Sequence, residues 1–205
     1  MKSRNNFQIE FIYLMYNNII SVEAGCFGDF ENVRNINFGV NLLEIIKRNY
    51  FRGVEKVEFL NFQSNLIQII EKRAFDDLSR LEYIYLDDNC LTNIPDYLFQ
   101  FTPRIRNIFL QHNSLEHISQ NFLRQNTKIV GLNVANNKLE DISNIFSFKG
   151  LISLIASNNK LNPINPDTTA ISDENELISL NLDNTTLSNV NFVRKLKRLR
   201  ELYAS

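Results

Sequence analysis

Apolar residues recur along this chain in a fixed frame. Leu81, Ile84, Leu86, Asn89, Leu91 and Ile94 form the string L-x-x-L-x-L-x-x-N-x-L-x-x-I, and a step of 24 residues carries it onto Ile105, Ile108, Leu110, Asn113, Leu115 and Ile118. A further step lands on Ile129, Leu132, Val134, Asn137, Leu139 and Ile142, and three steps backward give units opening at Val57, Val33 and Ile9. Two more units, opening at Leu151 and Leu177, keep the frame at altered lengths, and a partial unit opens at Leu199. A repeat of this length is one supersecondary unit that cannot bury its apolar face alone, so the units must stack on one another.

Within a unit the L-x-L pair predicts one short strand, because side chains alternate between the two faces of a strand with a period of two. Leucine goes inward and the residues between face out. Parallel strands cannot be joined by a two-residue hairpin, so the rest of each unit is expected to form a convex return to the next strand. The asparagine ends the strand, and its amide can donate and accept to backbone groups that the turn leaves open. Asn17, Asn41, Asn65, Asn89, Asn113, Asn137 and Asn159 are thus expected to form a buried ladder, broken at Thr185, whose hydroxyl makes fewer bonds. Ten places after the asparagine, Phe27, Phe51, Phe75 and Phe99 predict a second column that fills the wide convex side.

These strings resemble the leucine-rich repeat family over residues 9–205. The 24-residue units with their late phenylalanine, and Pro95 after Ile94, are similar to the class common in animal extracellular receptors, with a texture like insect leucine-rich immune proteins and Toll-type receptor ectodomains. The later unit starts lie 22, 26 and 22 residues apart, and Ile142 to Ile145 and Val190 to Val193 look like a shorter class also found in intracellular and bacterial adhesion proteins. The resemblance implies an α/β fold: a single domain over 1–205, built as a right-handed solenoid, or horseshoe, with a concave parallel sheet of about nine strands. Family members outside the cell usually carry cysteine-rich caps. This chain shows no cap and stops in mid-unit, which predicts a fragment or truncated product.

Composition narrows the function classes. Lys and Arg total 22 against 23 Asp and Glu, a net charge of -1, which argues against a nucleic-acid or anionic-membrane partner. Thirty asparagines stand against six glycines and four prolines, so turns other than Gly/Pro ones must reverse the backbone. Met1 to Arg4 followed by Phe7 to Val22 has the outline of a signal peptide, but Gln8, Glu10, Asn17 and Asn18 interrupt it and the segment fits the repeat. No apolar run approaches the roughly 20 residues of a membrane helix. Cys26 and Cys90 lie three units apart, roughly 14 Å at the usual strand spacing, too far for a disulfide.

Catalytic motifs are missing. His112 and His117 have no metal-ligand pattern around them, and there is no phosphate-binding loop, nucleophile elbow or dinucleotide fingerprint. No enzyme, cofactor or metal is expected. Asn184-Thr185-Thr186 is a glycosylation sequon at Asn184.

What the repeat does predict is a surface. Two outward columns line the concave face: Phe11, Asn35, Phe59, Tyr83, Asn107, Gly131, Ser153, Ser179 and Glu201, then Tyr13, Asn37, Asn61, Tyr85, Phe109, Asn133, Ile155, Asn181 and Tyr203. Phe59, Tyr83, Tyr85 and Phe109 lie on adjacent strands with Asp87, Asp88, Gln111 and His112 expected at the next outward positions, and exposed aromatics beside a polar rim are what a protein interface needs. The competing account is that strand-loving aromatics protect one another across the sheet. The expected function is protein recognition by the concave face in an extracellular receptor, immune or adhesion protein, with a protein ligand or co-receptor and a possible homo- or hetero-dimer. The alternative is an intracellular, cytoplasmic scaffold or regulatory subunit.

Overall fold

The computed structural model describes residues 8–165 and 171–205. The first residues of the signal-like segment lie outside the described residues. Each unit contributes one three-residue strand: β1 (Phe11–Tyr13), β2 (Asn35–Asn37), β4 (Phe59–Asn61), β6 (Tyr83–Tyr85), β7 (Asn107–Phe109), β8 (Gly131–Asn133), β9 (Ser153–Ile155), β10 (Ser179–Asn181) and β11 (Glu201–Tyr203). They form one nine-stranded parallel sheet in sequence order. Its register pairs equivalent positions, such as Tyr85 with Phe109 and Asn61 with Tyr85, so the period read from the sequence is the period of the stack. A second, two-stranded parallel sheet joins β3 (Ile45–Ile46) to β5 (Ile69–Ile70) on the return path.

The inward residues make one continuous core. Val57, Leu60, Phe62, Leu81, Ile84 and Leu86 are all fully buried, as are their equivalents through most of the stack. The returns run as turns, with short 3-10 segments at Ser143–Ser147 and Asn191–Lys195 in the two 22-residue units. The phenylalanine column is real and longer than expected. Phe51, Phe75, Phe99, Phe122 and Phe148 touch in succession at centroid distances of 5.6–6.3 Å. Phe27 packs instead on Phe38 of the strand side, and in unit five Phe122 takes the place that a count of ten assigns to Leu123. Truncating one such fully buried ring costs about 3–5 kcal/mol.

The asparagine ladder explains how so many units reverse with so few glycines. Asn89 Nδ2 donates to the carbonyls of Leu86 and Asp87 in its own unit and of Phe62 in the unit before, while its Oδ1 accepts from the N–H of Ile67. Asn41, Asn65, Asn113, Asn137 and Asn159 repeat this set, so each side chain ties two units together. Thr185 makes one ladder-type bond, to the carbonyl of Leu182, as its hydroxyl allows. Asn17 corrects the expectation at one end: it donates to Leu14 and Met15, but it is exposed because β1 is an edge strand with no described unit packed beyond it.

A backbone feature accompanies every ladder position. The residue just before it has a left-handed conformation in unit after unit, at Tyr16, Val40, Ser64, Asp88, His112, Asn136, Asn158 and Asn184, with φ between 52° and 57°. Asparagine tolerates this conformation, whereas a β-branched residue such as Val40 is strained by it. Gly150 shows where only glycine fits: its φ is +79°, and a Cβ there would lie 2.4 Å from the carbonyl of Thr127.

Candidate functional site

The concave face is built from the two ends of each strand. Phe59 opens β4, Tyr83 opens β6, and Tyr85 and Phe109 close β6 and β7, so all four expected aromatics project from the sheet rather than into the core. Three of them form a continuous group. The Tyr85 and Phe109 rings stack at 4.4 Å between centroids and 14°, and Phe59 leans diagonally onto Tyr85 at 5.0 Å. Tyr83 stands apart from this stack and is 37% exposed. The stacked rings are half-buried against one another, so mutual protection covers part of each ring and leaves the rest open to solvent.

The second outward column has a duty that sequence reasoning missed. Asn37, Asn61, Asn133 and Asn181 each turn their side-chain Oδ1 back to accept the backbone N–H two residues on, from Gly39, Gln63, Ala135 and Asp183 at 2.7–3.1 Å. These side chains finish their own strands, as an Asx turn does. The signal was present as asparagine at every such position, but without geometry an exposed asparagine and a capping one look alike. Tyr85 and Phe109 occupy the same column and cannot supply that acceptor.

The residues expected to rim the aromatics divide. Asp88 and His112 are exposed at the left-handed turn positions. Asp87 is not a rim residue: it is only 3% exposed, because the strand-ending turn tucks its side chain beneath the surface. Burial pushes its carboxyl above the ordinary carboxylate range and the charge of Asp88 adds to this, while its own backbone N–H and His112 act in the opposite sense. Burial likewise raises the Tyr85 hydroxyl, with the charges of Asp87 and Tyr83 adding to it. Gln111 is half-buried, one strand along from Asp87. Upstream of the same strands, Glu58 pairs with Arg34 at 2.7 Å and Glu82 with Arg106 at 3.4 Å.

Away from this face, Cys26 and Cys90 are free and exposed. Asn184 is exposed just after β10, and the sequon's Thr186 hydroxyl donates to the carbonyl of Leu161. His117 lies in a shallow depression with Glu116, Lys138, Glu140 and Lys160. Among the described residues no three His, Cys, Asp or Glu side chains are grouped as metal ligands, and no helix is long and apolar enough to cross a membrane. A buried polar set on the convex side, Thr102, Asn126 and Asn175, also escaped the sequence reading: Asn126 Nδ2 donates to the carbonyls of Phe99 and Thr102, which joins consecutive returns as the main ladder joins strands.

One short parallel strand per turn, a leucine core and a bridging asparagine define a leucine-rich repeat solenoid, a fold typical of protein-protein interaction modules. The chain belongs to the BspA type leucine rich repeat family, whose repeats match in six copies over residues 4–130 and 44–175. No curated protein sequence matches it. Among solved structures it is similar to TLR13 in its complex with ssRNA13, with a TM-score of 0.85 and 21% identity over 94% of this chain and 28% of that one. It is also similar to internalin C2 of Listeria monocytogenes, with a TM-score of 0.75 and 17% identity over 96% of this chain and 81% of that one. A chain of the Toll–Spatzle complex of Drosophila matches with a TM-score of 0.72 and 19% identity, over 95% of this chain and 31% of that one. At these identities the likeness is one of fold, and the chain spans less than a third of the TLR13 and Toll-complex chains.

Proposed function

We propose that this chain is a protein-recognition module, part of an extracellular receptor or of an immune or adhesion protein, and that its concave face engages the partner through Phe59, Tyr85 and Phe109. One observation carries the reading: the aromatic stack stands in the column where the flanking strands hold self-capping asparagines, so these side chains displace a structural group and leave ring surface open. Tyr83, Asp88, Gln111 and His112 border the stack, and Asp87 lies buried two residues after Tyr85. A phosphate backbone fits poorly, since Asp87 and Asp88 set negative charge beside the rings. The test is capture of partners from native extract by wild type, by a Tyr85→Ser/Phe109→Ser variant, and by a Ser153→Ala/Ser179→Ala control on the aromatic-poor part of the same face. Capture lost only in the aromatic variant supports the reading. Equal capture by all three refutes it.

Secretion carries its own expectation. When the protein is made through a secretory pathway, Asn184 receives a glycan, because it is exposed in the turn after β10. Intact mass before and after glycosidase treatment checks this, and an unshifted mass removes the sequon as support. The second reading, an intracellular scaffold, is favoured by the 3-10 returns of the shorter units and predicts a cytosolic product without the sugar.

A further inference from the structure

Just past the aromatic stack along the chain, two buried acceptors have nothing to accept. Asp87 Oδ1 is buried and has no hydrogen-bond partner, and the same is true of Oε1 of Gln111, the equivalent residue on the next turn. The two residues are neighbours, since the Asp88 N–H donates to the Gln111 carbonyl at 3.1 Å. Burying a carboxylate without a partner is costly, and the chain avoids it at the corresponding place elsewhere. Asp183, four turns on, accepts from both the N–H and the hydroxyl of Ser205. Glu58 and Glu82, just before the strands that carry the rings, are neutralised by Arg34 and Arg106. Among the described residues two other buried atoms lack partners, but Asn35 Oδ1 has no second unpartnered acceptor on the adjacent turn and Asp76 is already paired through its other oxygen with Arg73. His112 bears on the Asp87 carboxyl electrostatically, yet forms no ion pair with it among the described residues.

We propose that this aromatic window takes a guanidinium group, an arginine side chain of the protein partner laid on the Tyr85 and Phe109 rings, with its N–H groups donating to Asp87 Oδ1 and Gln111 Oε1. The inference rests on the reading of the concave face as a protein-binding surface and names the chemistry of what it binds. Guanidinium fits better than ammonium for two reasons. Two acceptors on adjacent turns, about 4.8 Å apart in the strand-to-strand direction, suit a planar fork of donors rather than a point charge. The flat cation also stacks on an aromatic face, where the ring quadrupole attracts it. Both acceptor atoms are covered in the free chain, so engagement turns the Asp87 and Gln111 side chains outward, rotamer changes of the kind interfaces commonly make.

The experiment selects peptides from a random display library on the full chain, keeps those that lose binding to the Tyr85→Ser/Phe109→Ser variant, and measures their affinity after synthesis. Window-dependent peptides are expected to share an arginine. Replacing that arginine with citrulline, its neutral isostere, weakens binding to the wild-type chain by about ten- to a hundredfold, and Asp87→Asn does the same for the arginine peptide. The citrulline comparison uses unmodified protein, so it holds whether or not the variant folds. Window-dependent peptides that lack arginine, or that bind citrulline equally well, overturn the guanidinium assignment and leave the binding surface standing. A selection that returns no window-dependent peptide overturns both.

Discussion

Strands β6 and β7 differ from β2, β4, β8 and β10 at the last residue, and the difference separates structure from recognition. In the four flanking strands the last residue is an asparagine whose carbonyl oxygen closes the turn that follows. In β6 and β7 it is Tyr85 and Phe109, which stack on each other and close nothing. The flanking strands therefore use their outward residues to stabilise their own ends, while the central pair gives that up. Two residues after each of those aromatics comes a buried acceptor without a partner, at Asp87 and Gln111. Tyr13, Ile155 and Tyr203 also lack that acceptor, but only at Tyr85 and Phe109 is the missing cap joined to a stacked ring pair and to buried acceptors without partners, and such a locally unfavourable cluster is where function is expected to sit.

The most direct way to break the comparison is to erase it. A Tyr85→Asn/Phe109→Asn variant gives both strands the flanking cap, so it should fold as well as the wild type while losing partner binding by at least several hundredfold. That figure follows if each aromatic contributes about 2 kcal/mol independently. Retained binding would return the rings to a structural role.

The next effect is on stability and tests the ladder that holds both regions. Asn113→Leu removes a side chain that donates to Leu86, Leu110 and Gln111 and accepts from Leu91, whereas Asn107→Leu alters an outward residue of the same unit. Leaving even one of those backbone groups unpaired costs about 1–3 kcal/mol, so the Asn113 variant should show the lower denaturant midpoint. Equal midpoints would mean the register is wrong.

A smaller loss is expected when a flanking strand is made to resemble the central pair without gaining a ring. Asn37→Ala deprives the Gly39 N–H of its acceptor and should cost about 1 kcal/mol in a urea melt. No measurable change would show that water closes the turn as well as the amide does.

The smallest effect is one of pH, and its sign is definite. Because burial holds the Asp87 carboxyl above its ordinary value of 3.8, the folded chain binds more protons than the unfolded one between that value and the raised one. Its contribution to stability therefore falls as pH rises through the window, and the full penalty of the buried charge stands above it. Asp87→Asn should be more stable than wild type at neutral pH, with the advantage vanishing below the unfolded value. An Asn variant less stable at neutral pH would reveal an internal partner for the carboxylate.

The period alone determined the fold. Apolar residues at fixed offsets and an asparagine that recurs with them can be satisfied only by stacking, so strand positions, inward faces, the ladder and the phenylalanine column were legible before any coordinates. Nine strands lie where the repeated string puts them, and each ends on the two columns read as outward. What only the tertiary structure decided is how the outward side chains are used. Asn133 and Phe109 have equal standing in the repeat, yet one is consumed by a backbone N–H two residues away and the other by a ring on the adjoining turn. Asp87 reads as an outward acid, but in the folded chain it is buried. The reason is spatial. Residues 24 apart in the chain are neighbours across the sheet, and burial, stacking and hydrogen-bond choice depend on both sets of side chains at once, whereas a repeat pattern describes each unit alone.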